Sequence, residues 1–182
     1  MPGLVHAQSD RGVYIGAALG TFDYEEQVDD GIALSDSTSS YQLFGGYRLN
    51  DHVALEFGWG GTGDIEGTIP AVVQGLGPVL LDASGSYDIY SLEALGILPF
   101  DRLSLFGGLG YFSASLSGPV SLPGFGQIGE LDGHERGAMV SLGLQRDFRL
   151  DLENLGVRGE IQWFDIDDVD AWSFGVGLVY RF

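Results

Sequence analysis

Ala171-Trp172-Ser173-Phe174-Gly175-Val176-Gly177-Leu178-Val179-Tyr180-Arg181-Phe182 ends the sequence, and the parity of its residues decides the fold. Trp172, Phe174, Val176, Leu178, Tyr180 and Phe182 share one face; Ser173, Gly175, Gly177, Val179 and Arg181 share the other. Side chains alternate across a β-strand, so this is a strand with one bulky oily face and one face of small or polar groups. In a soluble sandwich the bulky face would turn into a core and the other face would meet water. A face of glycine and serine with one arginine is ill suited to that exposed role. The pattern suits the wall of a transmembrane barrel, oily outward and polar inward.

The same alternation recurs in seven earlier segments, at 13–22, 41–49, 53–59, 87–98, 103–115, 135–145 and 155–164. Glu56 opposes Val53, Leu55, Phe57 and Trp59 in parity, and Arg158, Glu160 and Gln162 oppose Val157, Ile161 and Trp163. In 135–145, Arg136, Ser141, Gly143 and Gln145 are read as inward, against Ala138, Val140, Leu142 and Leu144. Alternation is poorest in 87–98, where Glu93 inward places Tyr90, Leu92, Ala94 and Leu98 outward. Long connections are expected at 23–38, which is polar, at 61–85, whose fairly apolar segment Ala71 to Leu81 would extend the strands or cap the barrel, and at 116–133. Short turns are expected at Asn50-Asp51, at Pro99-Phe100-Asp101-Arg102 and over 146–154, and a brief acidic loop at 165–170. The expectation is an all-β chain: a single eight-stranded antiparallel up-and-down transmembrane β-barrel over residues 10–182, with long outer loops and short inner turns.

Composition agrees. Of 182 residues 45% are apolar, too many for a disordered chain. No run approaches the ~20 apolar residues of a membrane helix, a test that barrel strands do not face. Glycine occurs 30 times, well above the usual roughly 7%. It falls inside the alternating segments, as crowded lumen positions require. The net charge of -18 comes from 26 acids against 8 bases, all of them arginine, and argues against a nucleic-acid partner. There is no cysteine, so disulfides and thiol chemistry are excluded.

If the strands run alternately out and back, the outward aromatics sort by height. Trp59, Tyr111 and Trp163 end outward-running strands and Tyr41, Tyr90 and Trp172 begin returning ones, so these six mark an outer rim. Tyr47, Tyr180 and Phe182 mark an inner rim, with aliphatic residues between. Two aromatic girdles around an aliphatic band are what a lipid bilayer selects. A soluble lipocalin-like barrel would place Trp163 inside and Glu56, Arg136, Arg158 and Glu160 outside, and leaves the girdles unexplained.

The inward charges Arg48, Glu56, Glu93, Arg136, Arg158, Glu160 and Arg181 are of both signs and must pair or meet water. They read as a structural network filling a narrow lumen; a gate or solute path is the alternative. Asp165, Asp167, Asp168 and Asp170 offer oxygens suited to a hard cation, but lack the glycine and distal glutamate of an EF-hand, so they are weak metal candidates. The histidines are His6, His52 and His134. Lipid A deacylases of the outer membrane use a His-x-Ser pair; His134-Glu135-Arg136 lacks the serine, so no catalytic residue is assigned. Gly107-Gly108-Leu109-Gly110 lies within a strand pattern and is no phosphate loop, and no cofactor is expected.

Val13-Tyr14-Ile15-Gly16, Phe44-Gly45-Gly46-Tyr47-Arg48-Leu49, Leu105-Phe106-Gly107-Gly108-Leu109-Gly110-Tyr111 and the ending Gly177-Leu178-Val179-Tyr180-Arg181-Phe182 resemble the small outer-membrane β-barrel superfamily. That superfamily includes the transmembrane domain of outer-membrane protein A and the OmpX, OmpW and opacity-like types. The resemblance implies a monomer in the outer membrane of a Gram-negative bacterium, surrounded by outer-membrane lipid. It also implies that Tyr180 and Phe182 form the signal read by the barrel-assembly machinery, with periplasmic chaperones as transient partners. Leu4-Val5-His6-Ala7 before Gln8-Ser9 resembles the end of a secretory signal, so residues 1–9 are expected to be a signal remnant or a disordered tail. No cell-wall-binding domain is expected after Phe182, which puts cell-wall tethering in doubt. The expected role is structural or surface-interacting through the long acidic loops. The alternative is a narrow channel for small or hydrophobic solutes, as in the OmpW type, and a lipid-modifying enzyme is the third reading.

Overall fold

The wall forms because each oily strand finds an antiparallel neighbour on both sides. The computed structural model describes residues 11–28, 32–73, 77–148, 154–166 and 169–182. The segment 1–9 falls outside the described residues. The strands are β1 (Gly12–Val28), β2 (Ile32–Asn50), β3 (Val53–Thr62), β4 (Ile65–Val73), β5 (Gly77–Phe100), β6 (Leu103–Leu122), β7 (Gly126–Phe148), β8 (Leu155–Ile166) and β9 (Val169–Arg181). Each pairs antiparallel with its sequence neighbours, except that β3 pairs with β5, and β1 pairs with β9 to close a ring of 8 strands. β4 stands outside that ring. It follows a break at Gly63-Asp64 and pairs with the first part of β5, from Ile65 opposite Gly85 to Val73 opposite Gly77. Ser39 O accepts the Gly63 N–H at 2.7 Å across the break. Closure leaves the barrel without an open sheet edge, as a lipid environment requires.

Three of the expected long loops are corrected to strand. The β1–β2 ladder continues to Val28 opposite Ile32, residues 61–85 form much of the β4–β5 hairpin, and β6–β7 runs on to Leu122 opposite Gly126. The Leu122–Gly126 turn needs glycine: Gly124 and Gly126 have φ of 85° and 84°. Alternation fades in these hairpins because a ribbon clear of the bilayer is not required to keep one side oily and the other polar, while its backbone pairing is unchanged. At the other end the connections are short, with turns at Asp51-His52 and Asp101-Arg102.

Burial follows parity. On β1, Tyr14 is 6% exposed while Val13 and Ile15 are 49% and 50% exposed. Large apolar side chains such as Leu19, Leu92, Leu109, Val176 and Leu178 stand exposed around the wall, a surface far too oily for water. Inside, many of the large residues face a glycine across the ladder. Tyr14 pairs with Gly46, Phe44 with Gly16, Phe106 with Gly143, Phe112 with Gly137, Glu93 with Gly110 and Arg158 with Gly177. The glycine content is thus a packing device: a barrel of eight strands has an interior only about as wide as its own side chains.

Candidate functional site

The lumen holds a buried ionic cluster assembled from most of the ring. Glu56 comes from β3, Glu93 from β5, Ser141 from β7, Arg158 and Glu160 from β8, and Tyr14 from β1; all but Tyr14, at 6%, are among the buried polar residues. Arg158 Nη1 donates to Glu56 Oε2 at 2.6 Å, and the Tyr14 hydroxyl donates to the same oxygen at 2.8 Å. Arg158 Nη2 lies 2.7 Å from Glu160 Oε2, an ion pair without the alignment of a hydrogen bond. Gln162 Nε2 donates to Glu160 Oε1 at 3.4 Å, and Ser141 Oγ donates to Glu93 Oε2 at 2.9 Å. The guanidinium carbon is 4.2 Å from the Phe106 ring centroid and 4.6 Å from that of Phe44, both within cation–π range. One cation is therefore shared among carboxylates and ring faces, the arrangement that makes burying it tolerable.

This cluster divides the interior. Above it, toward the long hairpins, lies a cavity of about 50 Å³ whose lining includes Gln42, Ser91, Glu160 and Gln162. Below it, a cavity of about 20 Å³ is lined by Tyr14, Arg48, Ser104 and Gln145, among others. Arg158 borders both. A water needs roughly 10–15 Å³ by this measure, so the two spaces hold a few waters and about one. Further out, Phe22, Phe112, Met139 and Phe164 pack as an apolar layer, with Phe112 and Phe164 edge to face at 5.2 Å. At the inner mouth Arg181 Nη1 pairs with Asp147 Oδ2 at 2.9 Å, and Gln145 Nε2 donates to Asp147 Oδ1 at 3.0 Å.

Of the expected inward charges, Arg48, Glu56, Glu93, Arg158 and Glu160 are buried inside, and Arg181 is half-buried. Arg136 is a correction. It pairs with Ser113, shares its face with Ala138 and Val140, and is exposed on the outside of the wall. It lies beyond the oily band, where a polar residue no longer has to turn inward. Tyr41, Tyr47, Trp59, Tyr90, Tyr111, Trp163, Trp172, Tyr180 and Phe182 are all exposed on the outer surface. Tyr41 and Trp59 meet edge to face at 6.0 Å, as do Tyr180 and Phe182 at 5.1 Å.

Asp165 is exposed; Asp167, Asp168 and the Asp170 side chain fall outside the described residues. Among the described residues no group of His, Asp or Glu is arranged to hold a metal. Sequence reasoning read Ser141 as inward but gave no role to it, nor to Tyr14, Phe44, Phe106 or Asp147. Their inward parity was the available signal, but their partners depend on the register.

His52 caps its turn, its N–H donating to Asn50 Oδ1 at 2.8 Å and its Nδ1 3.2 Å from Ile97 O. His134 has serine neighbours after all, from the adjacent strand: Ser113 Oγ is 3.2 Å from Nε2 and Ser115 Oγ is 3.1 Å from Nδ1. β6 is paired along both edges here, so its amides are committed to the ladders and offer no backbone oxyanion hole.

The packing gives one stability prediction. A Cβ on Gly143 would run into the Phe106 ring and the Gly159 carbonyl. Gly143→Val is expected to cost about 1–3 kcal/mol, read as a lower urea midpoint for unfolding from lipid vesicles. An unchanged midpoint would mean that Phe106 is free to leave its seat beside Arg158.

The comparisons agree with this architecture. Residues 3–182 match the family described as outer membrane protein beta-barrel domain. The fold is similar to the outer membrane protein OprG of Pseudomonas aeruginosa, at 16% identity and TM-score 0.63, covering 94% of this chain and 96% of that one. It is also similar to Ail, the attachment invasion locus protein of Yersinia pestis, solved with the heparin analogue sucrose octasulfate, at 17% identity and TM-score 0.61, covering 94% and 99%. Neisserial surface protein A is similar at 15% identity and TM-score 0.61, covering 94% and 97%. No curated protein sequence matches the chain. The closed ring of strands, its outward oily wall and the family match over nearly the whole length place the protein in the outer membrane of a Gram-negative bacterium, and the chain belongs to the outer membrane protein beta-barrel domain family.

Proposed function

We propose that this protein acts as a closed barrel whose work is done on the outside, through the hairpins that rise beyond the outer rim. The observation that carries the reading is the Arg158 cluster, which lies between two small cavities and borders both. The hairpin regions supply the chemistry: six acids in 23–38, three in 61–85, two in 116–133, four in 165–170, and no base in any of them. Such a surface attracts a cationic partner and repels a polyanion. In this it differs from what the Ail complex suggests for that protein, a site for a sulfated ligand. Assembly would run through the exposed Tyr180–Phe182 pair, read by the barrel-assembly machinery after delivery by periplasmic chaperones.

The test is twofold. Reconstituted in a planar bilayer, the full chain is expected to give no current above background; steady unitary currents would replace this reading with the narrow channel. In micelles it is expected to retain polylysine, with weaker binding as salt rises, and not sucrose octasulfate. Retention of the polysulfate instead would overturn the acidic-surface reading.

A further inference from the structure

Arg136 is the sole arginine that the outer half of the wall presents outward among the described residues. Arg48, Arg158 and Arg181 turn into the lumen, and Arg11, Arg102 and Arg146 lie at the inner end. It does not stand alone. Ser113 is its cross-strand partner, and the next outward pair is Ser115 with His134, whose ring lies within hydrogen-bond distance of both serines. Neutral imidazole has one donor and one acceptor nitrogen. Whichever tautomer is present, one serine accepts from the ring N–H and keeps its own O–H free to donate outward. A guanidinium beside an available hydroxyl is a donor set for phosphate.

Height fixes what phosphate can reach it. Tyr111 pairs with Ala138, one outward pair below Ser113–Arg136. At ~3.3 Å per residue, Arg136 lies ~7 Å along the strand beyond the Tyr111 rung and His134 ~13 Å, and strand tilt reduces both when measured along the membrane normal. Interfacial tyrosines sit at the headgroup level. The cluster therefore faces the headgroups of the outer leaflet, on the lipid side of the wall. Asp88 on β5 is the exposed cross-strand partner of Ser115, Asp132 is exposed two residues beyond His134 on the same face, and Asp165 is exposed on β8, one residue past the Met139–Phe164 pair. These acids bound the site, so an anion is held there only through Arg136.

We infer that Ser113, Ser115, His134 and Arg136 form a site for the phosphate of an outer-leaflet lipid. The protein would thereby carry a bound phospholipid or phosphorylated glycolipid at its outer rim, beside the β6–β7 hairpin. The experiment uses the full chain in uncharged detergent, titrated with lipid A as a diphosphorylated glycolipid probe, with retained lipid counted by native mass spectrometry. Arg136→Gln is expected to weaken retention about tenfold, the loss of one charge-assisted contact. Ser113→Ala is expected to weaken it less, and Arg102→Gln, at the inner end, not at all. Dephosphorylated probe should show no dependence on residue 136. Arg136 is exposed, so the variant should fold, which the heat-dependent gel shift of a barrel checks directly. Equal retention by wild type and Arg136→Gln, or an equal loss in Arg102→Gln, would overturn the inference. Displacement of the lipid by equimolar inorganic phosphate would assign the site to free anions and overturn the lipid assignment.

Discussion

Arg158→Met is expected to destabilise the folded barrel by about 3–5 kcal/mol, the cost of leaving buried acids without their cation. Arg158 is 3% exposed and lies against Glu56 and Glu160, which are 4% and 7% exposed. The adjoining cavities of about 50 and 20 Å³ have room for only a few waters, too few to take over the role of the cation. Methionine fills the space between Phe44 and Phe106 but cannot answer the carboxylates. Folding into lipid vesicles, followed by urea unfolding through Trp59, Trp163 and Trp172 fluorescence, measures the difference. The triple variant Arg158→Met/Glu56→Gln/Glu160→Gln should recover most of the loss, since replacing a whole buried ionic group is often close to neutral. If the single variant unfolds within about 0.5 kcal/mol of wild type, the range of an unremarkable surface change, the cluster is not a buried plug.

How legible this site was depended on where each residue sits relative to the oil. Within the band, polarity is a reliable label. Glu56 among Leu55 and Phe57, or Arg158 and Glu160 flanking Gly159, have only one side on which to hide, and they are buried inside. Beyond the band the label fails. Arg136 shares the parity of Ala138, which sets it outward, but on a face that is polar anyway its charge was the stronger label and it was expected inward. The hairpins failed to register as strand for the same reason: Ser35 to Ser40 pair with Glu25 to Gly20 without an oily face to betray the period. The interior aromatics were hidden differently. Parity sets Phe44 and Phe106 inward, with Arg48 and Gly108, but what makes room for the rings appears only when the register sets Gly16 and Gly143 opposite them. The complementarity of ring and glycine is a property of pairs of strands, and one strand read alone does not contain it.

Leu142→Arg should separate a lipid-facing wall from a water-facing one more sharply than any spectroscopic measurement. Leu142 is 48% exposed, opposite Gly107 and Ile161 on its two neighbouring strands. On its own strand it lies between Ala138, the partner of Tyr111 at the outer rim, and the exposed Arg146 at the inner end. That places it near the middle of the membrane band. In water, arginine at a half-exposed position would change stability by no more than about 0.5 kcal/mol. In a bilayer the same guanidinium at the midplane is expected to cost about 2–4 kcal/mol. The cost should shrink for Ala138→Arg, where the side chain can snorkel to the headgroups and lies beside the existing Arg136. The measurement is urea unfolding of each variant from vesicles. A depth-dependent penalty, large at residue 142 and small at 138, follows only if hydrocarbon surrounds the wall. Equal small penalties at both positions would mean that water does, and the inward turn of Glu56 and Arg158 would then need another cause.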